Sequence, residues 1–207
     1  MVEGRSSGEL QAALGHIPGR ENVNIVTMDL SSTYRSFVKG FFPNAKIVAD
    51  KFHVVRLLHP TINKRRVEIT GDKRKNPVRK LLLKNGKDLD FFTKSAIYKF
   101  LERYPELKEI YHYKEALHGL YRVKGYRRAH KAFVAMTDRM ANSNLKEIKT
   151  LRKTLLKWRE EILNYFKTRH TNGRTEGFNG KAKLIMRRAY GYKSFKNYRL
   201  RVLNACA

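Results

Sequence analysis

Residues 22–50, NVNIVTMDLSSTYRSFVKGFFPNAKIVAD, predict a strand, a helix and a second strand in close succession. The first strand is an alternating, β-branched run that ends at Asp29. Ser31 or Ser32 can then cap a helix, and a second short β-branched run ends just before Asp50. Two strands joined by one helix in this way form a βαβ unit with parallel strands. Because ligands collect at the carboxyl ends of parallel strands, Asp29 and Asp50 are predicted to lie at one functional edge.

After the second strand the hydrophobic pattern changes to helical spacing. Leu, Ile, Tyr and Phe recur at helical intervals, with interruptions at Pro105, Gly125 and 142–144. The last uninterrupted segment is 144–167. We therefore predict an all-helical region over residues 54–167.

The segment 168–192, TRHTNGRTEGFNGKAKLIMRRAYGY, places one carboxylate, Glu176, among many cations. Threonine and asparagine residues of the N-cap type precede Arg174, so a helix is predicted from there to the stop signal at Gly191. Its predicted apolar face consists of Phe178, Ala182, Ile185 and Ala189. Glu176 lies on roughly the opposite side, beside the cations. Both a solvated basic face and a metal-binding carboxylate beside a bound polyanion fit this pattern.

Net charge indicates which polyanion is bound. The chain has 45 Lys and Arg against 18 Asp and Glu, a formal charge of +27, and such an excess favours nucleic acid. Aromatic residues are interleaved with the cations, which suits backbone contact with base stacking, while core packing accounts for most of them. A second basic block lies at 51–84. The DNA-binding residues predicted near the late helix are Arg174, Lys181, Lys183, Arg187, Arg188 and Lys193.

Cysteine content and hydropathy exclude several classes of protein. The single cysteine, Cys206, rules out an intrachain disulfide and a cysteine-rich zinc site, so a bound metal would be held by oxygen. No apolar run approaches the ~20 residues of a membrane span, and the N-terminus lacks the apolar core of a signal peptide. These features predict a soluble cytoplasmic protein with no membrane partner.

Three carboxylates are candidates for a shared metal site. Asp29 and Asp50 each end a strand and Glu176 lies on the late helix, a layout in which distant oxygen ligands converge on Mg²⁺ or Mn²⁺. Such ions activate a water or a 3′-hydroxyl in phosphodiester chemistry. Two structural interpretations remain open: Asp50 is the N-cap of a helix that begins at Lys51, and His53 is a satisfied histidine at the start of that helix.

Five short motifs occur in order along the chain. They are VTMD at 26–29, FPNA at 42–45, VADKFH at 48–53, TNGRTEGFN at 171–179 and YGY at 190–192. Together they resemble the ISL-three family of bacterial insertion-sequence transposases, and the similarity extends from about residue 23 to the C-terminus. The resemblance implies a helix-dominated α/β fold of the DDE transposase type. Residues 1–53 and 168–207 would form a partial ribonuclease-H-like core, and 54–167 a large helical insertion.

The same resemblance assigns roles to individual residues. Asp29 and Glu176 would be the second and third catalytic carboxylates and the ligands of Mg²⁺ or Mn²⁺. Asp50, His53 and Asn179 would be supporting residues near them. The expected partner is DNA, both the transposon ends and the target, and the expected location is the bacterial nucleoid in the cytoplasm.

The first catalytic carboxylate of such enzymes has no counterpart in this chain. It would lie on an earlier strand, whereas only 28 residues precede Asp29 and their acidic members are Glu3, Glu9 and Glu21. In a two-metal site this carboxylate usually bridges both ions, so the chain is predicted to be incomplete and inactive in cleavage by itself.

Two functional hypotheses follow from this departure. In the first, the chain is part of a DDE transposase whose N-terminal section is supplied by a second chain or by a missing N-terminal segment. In the second, it is a non-catalytic basic DNA-binding module. A basic RNA-binding protein would explain the charge but not the three carboxylates.

Overall fold

Helices make up most of the chain in the computed structural model, which describes residues 6–71 and 77–206. In chain order the elements are α1 (Ser7–Leu14), β1 (Ile25–Met28), α2 (Ser32–Phe41), β2 (Lys46–Ala49), α3 (Lys51–Val55), α4 (His59–Thr70), α5 (Pro77–Leu83), α6 (Phe91–Glu102), α7 (Pro105–Leu120), α8 (Tyr126–Ala141), α9 (Lys146–Lys157), α10 (Arg159–Thr168), α11 (Gly173–Arg188) and α12 (Phe195–Cys206). Two short 3-10 helices are Arg20–Asn22 and Gly86–Asp88. Residues 73–75 of the second basic block and Glu3 lie outside the described residues. The α/β, helix-dominated class predicted from the sequence is confirmed.

The chain divides into two compact units. We call Met1–Asp50 with His170–Ala207 the strand unit, and Lys51–Arg169 the helical unit. The assignment of these parts to a ribonuclease-H-like core and an insertion stays a prediction. None of the helices in the described residues has the length and apolarity needed to cross a membrane.

The predicted βαβ unit is confirmed. β1 and β2 pair in parallel, in a register that joins Ile25 to Lys46 and Met28 to Ala49. One further hydrogen bond, from the Asp50 N–H to the Met28 carbonyl at 2.8 Å, continues the ladder past β2. The first strand is shorter than predicted, because a 3-10 helix occupies part of the segment before it.

The connecting helix α2 begins where the sequence predicts. The Ser31 hydroxyl caps it by accepting a hydrogen bond from the Tyr34 N–H at 3.4 Å. Phe37, Val38 and Phe41 are its buried side chains, and the two phenylalanine rings stack with centroids 4.9 Å apart. Ile47, Val48 and Ala49 of β2 are buried as well.

The helical unit contains the larger core. Pro105 occupies the first turn of α7, where its missing N–H costs no hydrogen bond. The prediction of one uninterrupted helical segment over 144–167 is wrong. The helix is interrupted at Trp158 (φ −108°, ψ 17°), which separates α9 from α10. No Gly or Pro marks this break, so hydrophobic spacing could not reveal it. The side chains of this core that are completely buried include Val54, Ile62, Leu82, Leu101, Leu107, Ile110, Leu117, Phe133, Met140 and Leu155.

A buried lysine joins two segments of the helical unit. The Lys114 ammonium donates to the carbonyl of Leu82 at 2.9 Å, at the end of α5, and contacts the Glu115 carboxylate at 2.5 Å. Both Glu115 oxygens accept the Gly86 N–H, at 3.0 and 3.1 Å. A Cβ at residue 86 would lie 2.8 Å from this carboxylate, so a larger residue there would displace the Glu115 side chain. Burial lowers the pKa of Lys114, although the hydrogen bond and charge of Glu115 oppose that shift.

Candidate metal and DNA site

Two aspartates meet at the carboxyl end of the parallel sheet. Asp29 follows β1 directly and Asp50 follows β2, and the pairing of Met28 with Ala49 puts the two strand ends side by side. Oxygen atoms of the two carboxylates lie within 4.8 Å of each other. The sequence predicted this proximity from the βαβ pattern alone.

The two carboxylates have different surroundings. Asp50 is 1% exposed, whereas Asp29 is partly accessible. His53, on the first turn of α3, also has a side chain that can bind a metal ion, and it is exposed. A buried carboxylate next to an accessible one can hold a cation that also reaches a ligand from solvent.

The start of α11 is attached to β1 by a side-chain hydrogen bond. The Thr27 hydroxyl donates to the Asn172 amide oxygen, a contact between residues 145 positions apart in the chain. Asn172 occupies the N-cap position of α11, but its side chain makes no hydrogen bond to the helix backbone. The side chain of Asn172, a residue of the N-cap type, therefore makes a tertiary contact instead of a hydrogen bond to the helix backbone.

Glu176 lies on the first turn of α11 and is exposed, as is Asn179 one turn further. Glu176 does not belong to the group of metal-ligating side chains that contains Asp29 and Asp50. The sharing of one ion by Glu176 and Asp29 stays a prediction. Glu176 lies one helical turn after Asn172. The hydrogen bond from Thr27 to Asn172 places this N-terminal end of α11 beside β1.

The predicted apolar face of α11 is only partly correct. Ala182 is buried and Ile185 is half-buried, but Phe178 and Ala189 are exposed. The reason is that α11 packs against the single helix α12, which covers a narrow stripe of its surface. We call α11 and α12 the C-terminal helix pair.

All six basic residues predicted to bind DNA are exposed. Two of them also make contacts within the C-terminal helix pair. The Lys181 ammonium donates to the Ala205 carbonyl at 2.6 Å, which stabilises the last turn of α12. The Arg174 guanidinium lies 5.7 Å from the centre of the Phe178 ring. The six side chains are accessible to a polyanion, and their roles in binding stay predictions.

Comparison with known proteins places the chain in a family. The model of the ISL-three family, described as Transposase, matches residues 1–202. The chain belongs to this transposase family. It is also similar to the transposase for insertion sequence element IS1001 of Bordetella parapertussis, with 25% identity over 210 residues. That alignment covers 96% of this chain and 52% of the other protein, so the chain spans about half the length of its relative. No solved structure has significant similarity to it.

The structure of this ISL-three family chain also reveals site residues that the sequence did not indicate. Thr27 is one, since its contact with Asn172 depends on a pairing of distant segments. The only local signal was alternation along the strand, which puts Thr27 and Asp29 on the same side of it. Arg201 is a second case, because its place at the cleft described below depends on the packing of α12 against α11.

Proposed function

We propose that the chain carries the later part of a transposase active centre, which cuts and joins DNA phosphodiester bonds with a divalent metal ion. The observation that carries the proposal is the approach of Asp29 to Asp50 at the end of a parallel βαβ unit, in a chain of a transposase family. Fold alone does not imply function, so the proposal depends on these side chains.

The two aspartates form a donor set that suits a hard divalent cation. Oxygens that share one Mg²⁺ at about 2.1 Å lie within about 4 Å of each other, and Mn²⁺ likewise favours oxygen. The carboxylates of Asp29 and Asp50 offer oxygens within 4.8 Å. Two like charges repel by about 4 kcal/mol at about 4 Å when the effective dielectric constant is about 20. A cation between them stabilises the pair, and we propose Mg²⁺ or Mn²⁺ in that position.

Each part of the strand unit has a role in this proposal. The bound ion would supply Lewis acidity to the attacking and leaving oxygens of the phosphodiester. The sheet register holds Asp29 and Asp50 at one edge, and the contact between Thr27 and Asn172 holds the start of α11 beside it. Glu176 would add a third carboxylate from that helix, with Asn179 beside it. The exposed cations of α11 would bind backbone phosphates.

We further propose that this carboxylate set is incomplete. Among the described residues before Asp29, Glu9 forms a capping box with Ser6 and Glu21 lies in a 3-10 helix, so neither ends a strand. A two-metal centre needs a carboxylate that bridges both ions. We therefore expect the chain to bind metal and DNA but not to cleave DNA by itself.

Titration with Mn²⁺, followed by electron paramagnetic resonance on the full chain, tests the metal site. Asp29→Asn and Asp50→Asn should each weaken Mn²⁺ binding by about tenfold or more, because each removes one charged ligand. Asp138→Asn, which changes an exposed carboxylate on α8, is the matched control and should leave binding unchanged. Equal losses in all three variants, or no binding by the wild type, would contradict the proposal.

A duplex-DNA binding and nicking assay separates the remaining hypotheses. The wild type should bind duplex DNA with an affinity that falls steeply as salt rises, and should not nick it in Mg²⁺. Nicking that Glu176→Gln abolishes would show that the carboxylate set is complete. DNA binding without Mn²⁺ binding would favour a non-catalytic binding module, and a strong preference for RNA would favour an RNA-binding protein.

A further inference from the structure

A basic cleft lies between the two helices of the C-terminal helix pair. Its volume is about 530 Å³, and it is lined by Ile185, Arg188, Ala189, Tyr192, Arg201, Asn204 and Ala205. The ring of Tyr192 packs on Tyr198 of α12, with centroids 5.4 Å apart. The hydrogen bond from Lys181 to Ala205 joins the two helices near one end of the cleft. A space of this size can accommodate a phosphate group with part of its nucleotide.

The cleft has strong positive charge and no neighbouring acid in the sequence. Residues 177–207 contain eight Lys or Arg and no Asp or Glu. Arg188 of α11 and Arg201 of α12 both line the cleft, and both are exposed. Within the described residues, neither guanidinium forms a salt bridge with a carboxylate. Two guanidinium groups at one cleft, without a carboxylate partner among the described residues, are suited to a phosphate, which each can bind through paired N–H donors.

Tyr190 lies in the loop next to this cleft and has an unusual conformation. Its side chain is fully exposed, and its φ is +52°, in the left-handed region. The loop closes α11 with two hydrogen bonds, from the Tyr190 N–H to the Arg187 carbonyl and from the Gly191 N–H to the Met186 carbonyl. At the left-handed position of this motif glycine is usual, because it has no Cβ. Tyr190 is thus a bulky residue in a strained conformation, and its side chain does not pack in a hydrophobic core. This combination indicates a function for its ring.

We propose that Arg188 and Arg201 bind a DNA backbone phosphate in the cleft, and that Tyr190 stacks on an unpaired base next to that phosphate. This inference deepens the proposed function, because it assigns part of the DNA contact to an unpaired nucleotide at a DNA end. The reason is steric: a base inside a duplex has neighbours on both faces and is held by its partner strand, whereas an unpaired base is free to stack on an aromatic side chain.

Fluorescence anisotropy with two DNA probes tests this inference on the full chain. One probe is a blunt duplex, and the other has the same duplex with a short single-stranded overhang that contains 2-aminopurine. Tyr190→Ala should lower affinity for the overhang probe by about tenfold and remove the quenching of 2-aminopurine, with little change for the blunt probe. Tyr190→Trp should restore both signals. Phe92→Ala changes another strongly exposed aromatic residue, in the helical unit; it is the control and should behave as the wild type.

The arginine part of the inference has its own measurement. Arg188→Gln and Arg201→Gln should each reduce the slope of log affinity against log salt by about 0.7 to 0.9. Lys196→Gln removes one exposed cation of α12 outside the cleft, and its affinity loss should be smaller. Circular dichroism confirms that each variant keeps its helix content.

The outcomes distinguish this inference from the proposed function. Equal affinity for both probes, unchanged by Tyr190→Ala, would overturn the stacking role while DNA binding itself stands. If Lys196→Gln lost as much DNA affinity as the two arginine variants, the assignment of the cleft as a phosphate site would be wrong. Tighter binding of an RNA overhang than of the DNA overhang would overturn DNA as the ligand. Absence of any DNA binding by the wild type would instead contradict the proposed function.

Discussion

The helical unit and the C-terminal helix pair are both helical, yet they bury very different shares of their apolar side chains. In α9 of the helical unit Leu155 is 0% exposed, whereas Leu200 of α12 is 51% exposed. Within the described residues of α11 and α12, Ala182 and Val202 are the only buried side chains. Helices draw most of their stability from the packing of one apolar face. The difference indicates that the helical unit is stabilised by its own core, whereas the helix pair is largely a surface for contact.

Hydrogen exchange should show the largest difference between the two regions. We expect backbone amides in α7 and α8 to exchange about a thousandfold more slowly than those in α11, because α7 and α8 open only when the core opens. Mass spectrometry of the full chain measures both rates in one sample. Similar protection in α7 and α11 would remove the basis of the comparison.

The same substitution at a buried and an exposed leucine makes the comparison quantitative. Leu155→Ala should lower the free energy of unfolding by about 3 kcal/mol, because it leaves a cavity in the core of the helical unit. Leu200→Ala should change it by less than about 0.5 kcal/mol, since the side chain already meets solvent. Urea denaturation followed by circular dichroism gives both values. A large loss at residue 200 would mean that the helix pair is packed more tightly than its exposure indicates.

Lys114 tests whether polar contacts also stabilise the helical unit. We expect Lys114→Met to cost about 2 kcal/mol of unfolding free energy, because it leaves the Leu82 carbonyl and the Glu115 carboxylate without their buried donor. Lys146→Met, which changes an exposed lysine of α9, is the control and should have little effect. If both variants unfold at the same urea concentration as the wild type, the buried network contributes nothing net.

Acid should weaken the helical unit through His59. Burial lowers the pKa of this histidine to about 4, and the neighbouring charges of Lys114, Arg56 and His118 act in the same direction. The unfolded chain, with an ordinary histidine pKa near 6.5, binds more protons between these values, so stability falls as pH decreases from about 6.5 towards 4. The melting temperature should drop between pH 7 and pH 5. This drop should be smaller than the drop in melting temperature that Lys114→Met causes.

Substitution of the histidine isolates this contribution. His59→Gln should show a smaller drop in melting temperature over the same pH range than the wild type. The carboxylates titrate mainly below pH 5, so they add little in this window. An identical pH dependence in the variant and the wild type would rule out His59 as the source.

The smallest expected effect is a gain in the C-terminal helix pair. Tyr190→Gly should stabilise the end of α11 by about 0.5 to 1 kcal/mol, because glycine adopts the left-handed conformation without strain. Exchange rates of amides near residue 188 report this local gain. A variant that is both more stable and weaker in binding DNA with an overhang would show that strain is retained for function.

Local sequence patterns were sufficient for the elements that determine the candidate site. The β-branched runs before Asp29 and Asp50 and the serine cap of α2 each act over a few residues, so the parallel unit and the approach of its two aspartates were predictable. The start of α7 at Pro105 was predictable for the same reason. The assignment of Glu176 to the same metal centre stays a prediction, because it depends on the placement of α11.

Contacts between distant segments decided the rest. The break at Trp158, the pairing of Thr27 with Asn172 and the burial of Lys114 all depend on which segments meet in space, and none has a signal in its neighbouring residues. Sequence by itself determined the helical and strand segments and the basic charge, because backbone preferences and charge are local or additive. Tertiary structure alone decided that Thr27 meets Asn172 and which aromatic rings stay exposed, because such contacts depend on packing across the whole chain.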